Sequence, residues 1–244
     1  MHHWQPNNSR EIKMIVSILR NIPNTLTCCN LLSGCIAISF AFNGTIKTAF
    51  IFIILGAVFD FFDGMVARLL HVPSLLGKEL DSLADNITFG VAPSVMVFYE
   101  LGQLNCPGFL EPIESFIPYT AFLIAAFSAI RLAKFNNDKR QTTTFIGLPT
   151  PANALFWGGL LLLQSNYKST PAFYMMILIL VFISSYLLVA EVPMFSLKFN
   201  IKNWKENRLC IFFVAVSALI LFILSLPALA IIITWYIILG YVRK

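Results

Sequence analysis

Long apolar stretches separated by short polar connections run through the chain from about residue 23. Because about twenty apolar residues are needed to cross the hydrocarbon core of a bilayer, these stretches predict membrane-spanning α-helices. The predicted spans are 23–42, 47–68, 80–101, 116–135, 150–165, 171–190, 209–225 and 228–241. We therefore expect an all-α, polytopic bundle of about eight transmembrane helices.

The segment before the first span has a different pattern. From Ser9 to Arg20, isoleucine, valine and leucine recur at helical spacing among basic residues. This predicts a short amphipathic helix on the membrane surface, with a disordered tail as the alternative. Pro23 and Asn24 then open the first span, since proline is favoured in the first turn of a helix.

Composition and charge support the membrane class and predict an orientation. The 244 residues are 58% hydrophobic and 12% charged, and the mean hydropathy is +0.78. The net charge is +5, and 15 of the 17 lysines and arginines fall in cytoplasmic segments if the N-terminus is cytoplasmic. The positive-inside rule describes this asymmetry, so the basic residues indicate topology and no nucleic-acid partner. We expect both termini to face the cytoplasm from a bacterial-type inner membrane.

Four of the five aspartates lie between residues 60 and 85, at the predicted cytoplasmic ends of spans two and three. Asp60 and Asp63 are three residues apart, and Asp81 and Asp85 four, so each pair shares one helix face. Clustered carboxylates repel one another and bind either protons or cations. Oxygen ligands select hard cations such as Mg²⁺ or Mn²⁺, and two such ions suit in-line displacement at phosphorus. A purely structural helix contact is the alternative, but four carboxylates at these spacings fit it poorly.

Small residues recur beside the aspartates. Gly64 and Ala67 each follow an aspartate by one helical turn, and Gly77 precedes one by a turn. Their small side chains predict a groove next to the metals, where a nucleotide could lie against the backbone. Arg68 extends this stripe and is able to bind a phosphate.

The complete pattern resembles a known family. Residues 60–85 read Asp-x2-Asp-Gly-x2-Ala-Arg-x8-Gly-x3-Asp-x3-Asp, which matches the signature of the CDP-alcohol phosphotransferases at every fixed position. These integral membrane enzymes transfer a phosphatidyl or phospho-alcohol group from a CDP-linked donor to an acceptor hydroxyl. The resemblance implies a homodimer and a catalytic six-helix core at 22–190. An amphipathic segment at 1–21 would precede this core, and a cytoplasmic loop with two further helices at 191–244 would follow it.

Three later blocks resemble the phosphatidylserine synthase branch of the family. They read Phe89-Gly-Val-Ala-Pro, Arg131-Leu-Ala-Lys-Phe-Asn and Gly147-Leu-Pro-Thr-Pro. Lys134 stands where the branch usually has arginine, and a lysine cannot form the bidentate contact of a guanidinium. The branch implies CDP-diacylglycerol as donor, L-serine as acceptor and CMP as leaving group.

The resemblance also implies roles for single residues. The metal ligands would be Asp60, Asp63 and Asp81, with help from Asp85, which is also the candidate general base. The cytidine diphosphate pocket would be formed by Asn24, Gly64, Ala67, Arg68 and Gly77. The carboxylate of serine needs a cation, for which Arg131 is the first candidate and Lys134 the second.

Two alternatives remain open from the sequence. Within the family, the acceptor could be glycerol 3-phosphate or an inositol compound, although a phosphate-bearing acceptor would need more basic residues around the pocket than the sequence offers. From another class, the aspartates could serve a cation transporter. A cation transporter would place acidic residues near the bilayer midplane on broken helices. The four aspartates at 60–85 instead lie near the predicted cytoplasmic ends of helices.

Overall fold

The structure is a computed structural model that describes residues 8–72, 74–138, 147–163, 170–191 and 204–242. These residues form helices and connections, with no β-strand among them. The α-helices are α1 (Asn8–Phe42), α2 (Ile46–Leu69), α3 (Leu75–Asp85), α4 (Ala92–Gln103), α5 (Phe122–Asn137), α6 (Thr150–Leu162), α7 (Pro171–Val189), α8 (Trp204–Leu224) and α9 (Ala228–Val242). A π-helix (Asn86–Val91) joins α3 to α4, and two 3₁₀-helices (Gly108–Ile113 and Ile117–Ala121) precede α5. The all-α prediction is confirmed.

Four stretches of these helices are long and apolar enough to cross a membrane. They are Asn21–Phe42, Ile46–Leu69, Ile117–Asn137 and Pro171–Val189. Helices α8 and α9 contain shorter apolar stretches, Ile211–Leu224 and Ala228–Gly240, and α6 has only 13 residues. Helix is present in each of the eight predicted segments, but a count of eight spans stays a prediction.

The first helix corrects one expectation. Pro23 lies inside α1, which runs for 35 residues, and so does not open a new helix there. A proline inside a helix removes one backbone hydrogen bond, which can bend the helix without ending it. The backbone from Ser9 to Arg20 is accordingly helical. The side chains of this segment lie outside the described residues, so its position on the membrane surface stays a prediction.

Helices α1, α2, α4, α6 and α7 surround the main apolar core, which contains the fully buried side chains of Phe50 and Trp157. A Cβ atom on Gly158 would overlap the ring of Phe50, so glycine allows α2 and α6 to pack closely. The indole Nε1 of Trp157 donates to Ser184 Oγ over 3.2 Å and connects α6 to α7. The C-terminal helices pack at one side of this core, because α9 lies against α6.

The π-helix is held against α1 and α2 by close contacts at glycines. The hydroxyl of Thr88 donates to the carbonyl oxygen of Asn30 over 3.0 Å. A Cβ atom on Gly34 or Gly56 would overlap Thr88, so both glycines are needed for this approach. The contact fixes the position of the segment that directly follows Asp85.

Candidate active site

Three aspartates predicted to bind metal come together between α2 and α3, which both pack against α1. Each of Asp60, Asp63 and Asp81 places a carboxylate oxygen within 4.8 Å of the other two. We call these three residues the aspartate cluster. Asp63 is buried, whereas Asp60 and Asp81 are half-buried. The i, i+3 spacing directs the two α2 carboxylates to one face, and packing of α3 brings Asp81 opposite them.

Helix α1 supplies hydrogen bonds to two of the four predicted aspartates. Thr27 Oγ1 donates to Asp63 Oδ2 over 2.6 Å, and Asn30 Nδ2 donates to Asp85 Oδ1 over 3.1 Å. Thr27 and Asn30 are both buried, at 3% and 0% exposure. These bonds orient the two carboxylates. Asp85 has Asn30 as its hydrogen-bond partner. It does not belong to the aspartate cluster.

The residues of the cluster fit a divalent cation. Three negative charges this close repel one another by roughly 3 kcal/mol per pair at an intermediate dielectric. In addition, Asp81 Oδ1 is buried and has no hydrogen-bond partner among the described residues. The nearby Lys78 amino group donates to the backbone oxygen of Asn136 over 2.9 Å. Carboxylate oxygens in this arrangement are the ligands that Mg²⁺ and Mn²⁺ prefer. A bound cation would neutralise the repulsion between the carboxylates and give Asp81 Oδ1 a partner.

A pocket of about 220 Å³ opens directly beside the cluster. Its lining includes Asp63 and Asp81 together with four of the five residues predicted to bind the nucleotide: Asn24, Gly64, Ala67 and Gly77. The fifth, Arg68, is exposed at the end of α2 and does not belong to the lining. Its contact with a phosphate stays a prediction.

The two pocket glycines differ in what surrounds them. A Cβ atom on Gly77 would lie 3.0 Å from Ser74 Oγ and 3.2 Å from Asn24 Oδ1, so protein packing already favours glycine there. A Cβ atom on Gly64 would meet nothing within 4 Å. No packing reason within the described residues explains Gly64, and its bare backbone borders the pocket.

The structure adds pocket residues that the sequence analysis did not assign. Thr27, Ser74 and Lys78 also line the cavity. Ser74 caps α3, because its hydroxyl accepts the backbone N–H of Gly77 over 2.9 Å. Thr27 was detectable, since it follows Asn24 by three residues on the same face of α1. The position of Lys78 depends on the connection between α2 and α3, which has no comparable sequence signal.

The structure separates the two candidate residues for the acceptor. Arg131 is 8% exposed and its guanidinium lies 5.8 Å from the centre of the Phe135 ring. It interacts electrostatically with Asp85, and its Nε has no hydrogen-bond partner among the described residues. Lys134, one turn later, is exposed. Arg131 is therefore the more buried of the two cations, and both roles stay predictions.

Known proteins similar to this chain point to one family. The family model described as CDP-alcohol phosphatidyltransferase matches residues 20–197, which contain the aspartate cluster, the pocket and Arg131. The chain belongs to the CDP-alcohol phosphatidyltransferase family. The match ends before α8, so the two C-terminal helices lie beyond the part that this family model describes.

Several relatives of this family member carry one name, CDP-diacylglycerol–serine O-phosphatidyltransferase. The protein of Bacillus subtilis is 40% identical over 130 residues, which cover 53% of this chain and 69% of the relative. That of Helicobacter pylori strain 26695 is 29% identical over 233 residues, or 94% of this chain and 93% of the relative. That of Saccharomyces cerevisiae is 38% identical over 115 residues, or 43% and 38% of the two chains.

Proposed function

We propose that the chain transfers the phosphatidyl group of CDP-diacylglycerol to the hydroxyl of L-serine, giving phosphatidylserine and CMP. The observation that carries this proposal is the aspartate cluster at the edge of a pocket lined by small residues. Asp85 follows Asp81 by one turn and interacts with the buried Arg131. The shared name of the relatives supports the choice of both substrates.

The donor would bind in the pocket beside the cluster. Asp60, Asp63 and Asp81 would hold two Mg²⁺ or Mn²⁺ ions, with help from Asp85. Ions bound there supply positive charge that neutralises the pyrophosphate and stabilises CMP as it leaves. The cytidine diphosphate would lie along Gly64 and Ala67 on one side and Asn24 and Gly77 on the other, with Arg68 at the outer end.

The reaction is a substitution at the lipid-side phosphorus. The hydroxyl oxygen of serine forms the new P–O bond, and the bond from that phosphorus to the oxygen that joins it to CMP breaks. The hydroxyl proton passes to Asp85, whose carboxylate is oriented by the amide of Asn30. Asp85 suits this role because it stands next to the cluster and also interacts with Arg131.

Arg131 would bind the carboxylate of serine and bring the hydroxyl toward Asp85. A buried guanidinium forms strong charge-assisted hydrogen bonds with a carboxylate. Its burial and its interaction with Asp85 favour this role over the exposed Lys134.

For the whole chain, we propose the arrangement that the charge asymmetry indicates. Eight helical segments cross the membrane, the segment 1–21 lies on its surface, and the active site and both termini face the cytoplasm. The core comprises 22–190, and 191–244 forms the loop and appendage. The apolar residues exposed on α2, α7 and α8 suit contact with lipid or with a second copy in a homodimer.

The direct test measures CMP release by the purified protein. CDP-diacylglycerol and Mn²⁺ are supplied with L-serine, glycerol 3-phosphate or myo-inositol in parallel. We expect release with L-serine only. Release with glycerol 3-phosphate but not with serine would reject serine as the acceptor, while transfer of the phosphatidyl group from CDP-diacylglycerol would still be supported. Release with none of them would reject the proposed pair of substrates.

The role of Arg131 is tested by varying each substrate in turn. Arg131→Ala should raise the KM for serine roughly ten- to a hundredfold, since a hydrogen bond between charged groups is lost in a buried site. The KM for CDP-diacylglycerol should change little. Lys47→Ala, at an exposed position near the other end of α2, serves as the control. Equal damage to both KM values would show that the acceptor pocket is wrongly placed.

A further inference from the structure

Among the buried polar atoms without a hydrogen-bond partner in the described part of the chain, three lie on the π-helix and α5 beside Asp85. They are Asn86 Oδ1, Ser128 Oγ and Arg131 Nε. Ser128 is 0% exposed and Arg131 is 8% exposed. An unpaired buried polar group costs about 1–3 kcal/mol, and the interior of a membrane bundle offers little water to replace the partner. Three such atoms close together therefore point to a polar ligand.

The two oxygens approach each other beside the backbone of Gly90. A Cβ atom on Gly90 would lie 2.8 Å from Asn86 Oδ1, 3.0 Å from Ser128 Cβ and 3.4 Å from Ser128 Oγ, so a side chain there would clash with both residues. Glycine therefore lets the π-helix and α5 bring the two oxygens close together. Asn86 and Gly90 belong to the π-helix, which packs against α5. Wide turns of this kind are frequently found at functional sites.

The two oxygens lie beside the candidate base and the buried cation. Asn86 directly follows Asp85 in the chain, and Ser128 precedes Arg131 by three residues on one face of α5. The electrostatic interaction between Arg131 and Asp85 shows that these two sides are near each other. A small molecule here would thus meet two oxygens, a guanidinium and the carboxylate of Asp85.

We propose that Asn86 and Ser128 bind the ammonium group of the acceptor amino acid, while Arg131 binds its carboxylate. The inference rests on the proposed function and adds the half of the acceptor site that recognises the amine. An amide oxygen only accepts hydrogen bonds, so it requires a donor, and an ammonium group brings three. The negative charge of Asp85 nearby favours a cation at the same place.

The same chemistry disfavours a phosphate-bearing acceptor. A phosphate would add negative charge beside the carboxylate of Asp85, and Arg131 is the one buried cation among the described residues. The site thereby favours an amino acid over glycerol 3-phosphate through charge.

The test uses three acceptors that differ in one charged group each. L-Serine carries both groups, 3-hydroxypropionate lacks the ammonium, and ethanolamine lacks the carboxylate. Each is assayed by CMP release, and the two analogues also as competitors of L-serine. Ser128→Ala and, separately, Asn86→Ala should weaken serine and ethanolamine roughly ten- to a hundredfold and leave 3-hydroxypropionate nearly unchanged. Arg131→Ala should show the opposite selectivity, weakening serine and 3-hydroxypropionate.

Two controls separate binding from structural damage. The hydroxyl of Ser94 is also buried, but it donates to the carbonyl oxygen of Val91 over 2.7 Å, so Ser94→Ala should leave all acceptor constants unchanged. Ser128→Ala removes an unpaired hydroxyl and should not lower the Tm of the substrate-free protein, whereas the loss of a structural contact would lower it.

The proposal is rejected if Ser128→Ala and Asn86→Ala weaken serine and 3-hydroxypropionate equally, or if neither changes the KM for serine. In both cases wild-type turnover of serine would still support the proposed function. If the wild type does not use serine at all, the proposed function fails, and the ammonium site that rests on it is rejected as well.

Discussion

Gly64→Ala separates a requirement of the ligand from a requirement of the fold. Gly64 lies within α2, lines the pocket, and would place a Cβ atom in space that no described atom occupies within 4 Å. Alanine in a helix is more stable than glycine by about 0.5–1 kcal/mol. The substitution should therefore raise the Tm of the substrate-free protein by roughly 1–4 °C.

Binding of the donor should change in the opposite direction. If the nucleotide lies against the backbone at Gly64, the added methyl group overlaps it, and overpacking of this kind costs about 1–3 kcal/mol. The KM for CDP-diacylglycerol should then rise roughly five- to a hundredfold. The KM for serine should change much less, since the proposed acceptor site at Arg131 does not include Gly64.

Two further glycines provide matched controls. A Cβ atom on Gly102 also meets nothing within 4 Å, but Gly102 is exposed on α4, so Gly102→Ala should raise the Tm and leave both KM values unchanged. Gly77→Ala should lower the Tm, because its Cβ atom would crowd Ser74 and Asn24. Tm is followed by thermal unfolding in detergent and KM by CMP release. A Gly64→Ala enzyme with a wild-type KM for the donor would refute the nucleotide position.

Three other predictions concern the metals, the hydrogen bonds from α1 and the topology. Chelation should abolish CMP release, and added Mg²⁺ or Mn²⁺ should restore it; full activity in excess chelator would contradict the assignment of the aspartate cluster. Thr27→Val should lower turnover roughly tenfold, because the charge-assisted hydrogen bond to Asp63 is lost. Thr25→Val is the control and should have little effect on CMP release, because the exposed hydroxyl of Thr25 donates to the carbonyl oxygen of Asn21 within α1. In a cysteine-free background, a cysteine at Ser115 should react with an impermeant reagent on intact cells, and one at Asn137 only after permeabilisation; the reverse labelling would overturn the orientation.

The positions of the helices and of the aspartates followed from local sequence pattern. Apolar runs of helical length predicted all eight helical segments, because burial of apolar residues and helix geometry act over short distances along the chain. The prediction that a helix begins at Pro23 was wrong, because α1 continues on both sides of this proline. Residues 60–85 carried the family signature in full, and the family match confirmed it.

Tertiary structure alone decided which side chains face one another. Thr27 and Asp63 are 36 residues apart, and Asn30 and Asp85 are 55 apart, so no local pattern could pair them. Arg131 and Lys134 are close in sequence, yet packing of α5 buries the first and exposes the second.

The sequence by itself thus determined the helical membrane class, the carboxylate chemistry and the family, because helix spacing and ligand type are local properties. Only the packing of α1, the π-helix and α5 around the aspartates decided which side-chain atoms are oriented, exposed or buried without a partner. The reason is that the rotation of each helix about its axis depends on all the helices that pack against it.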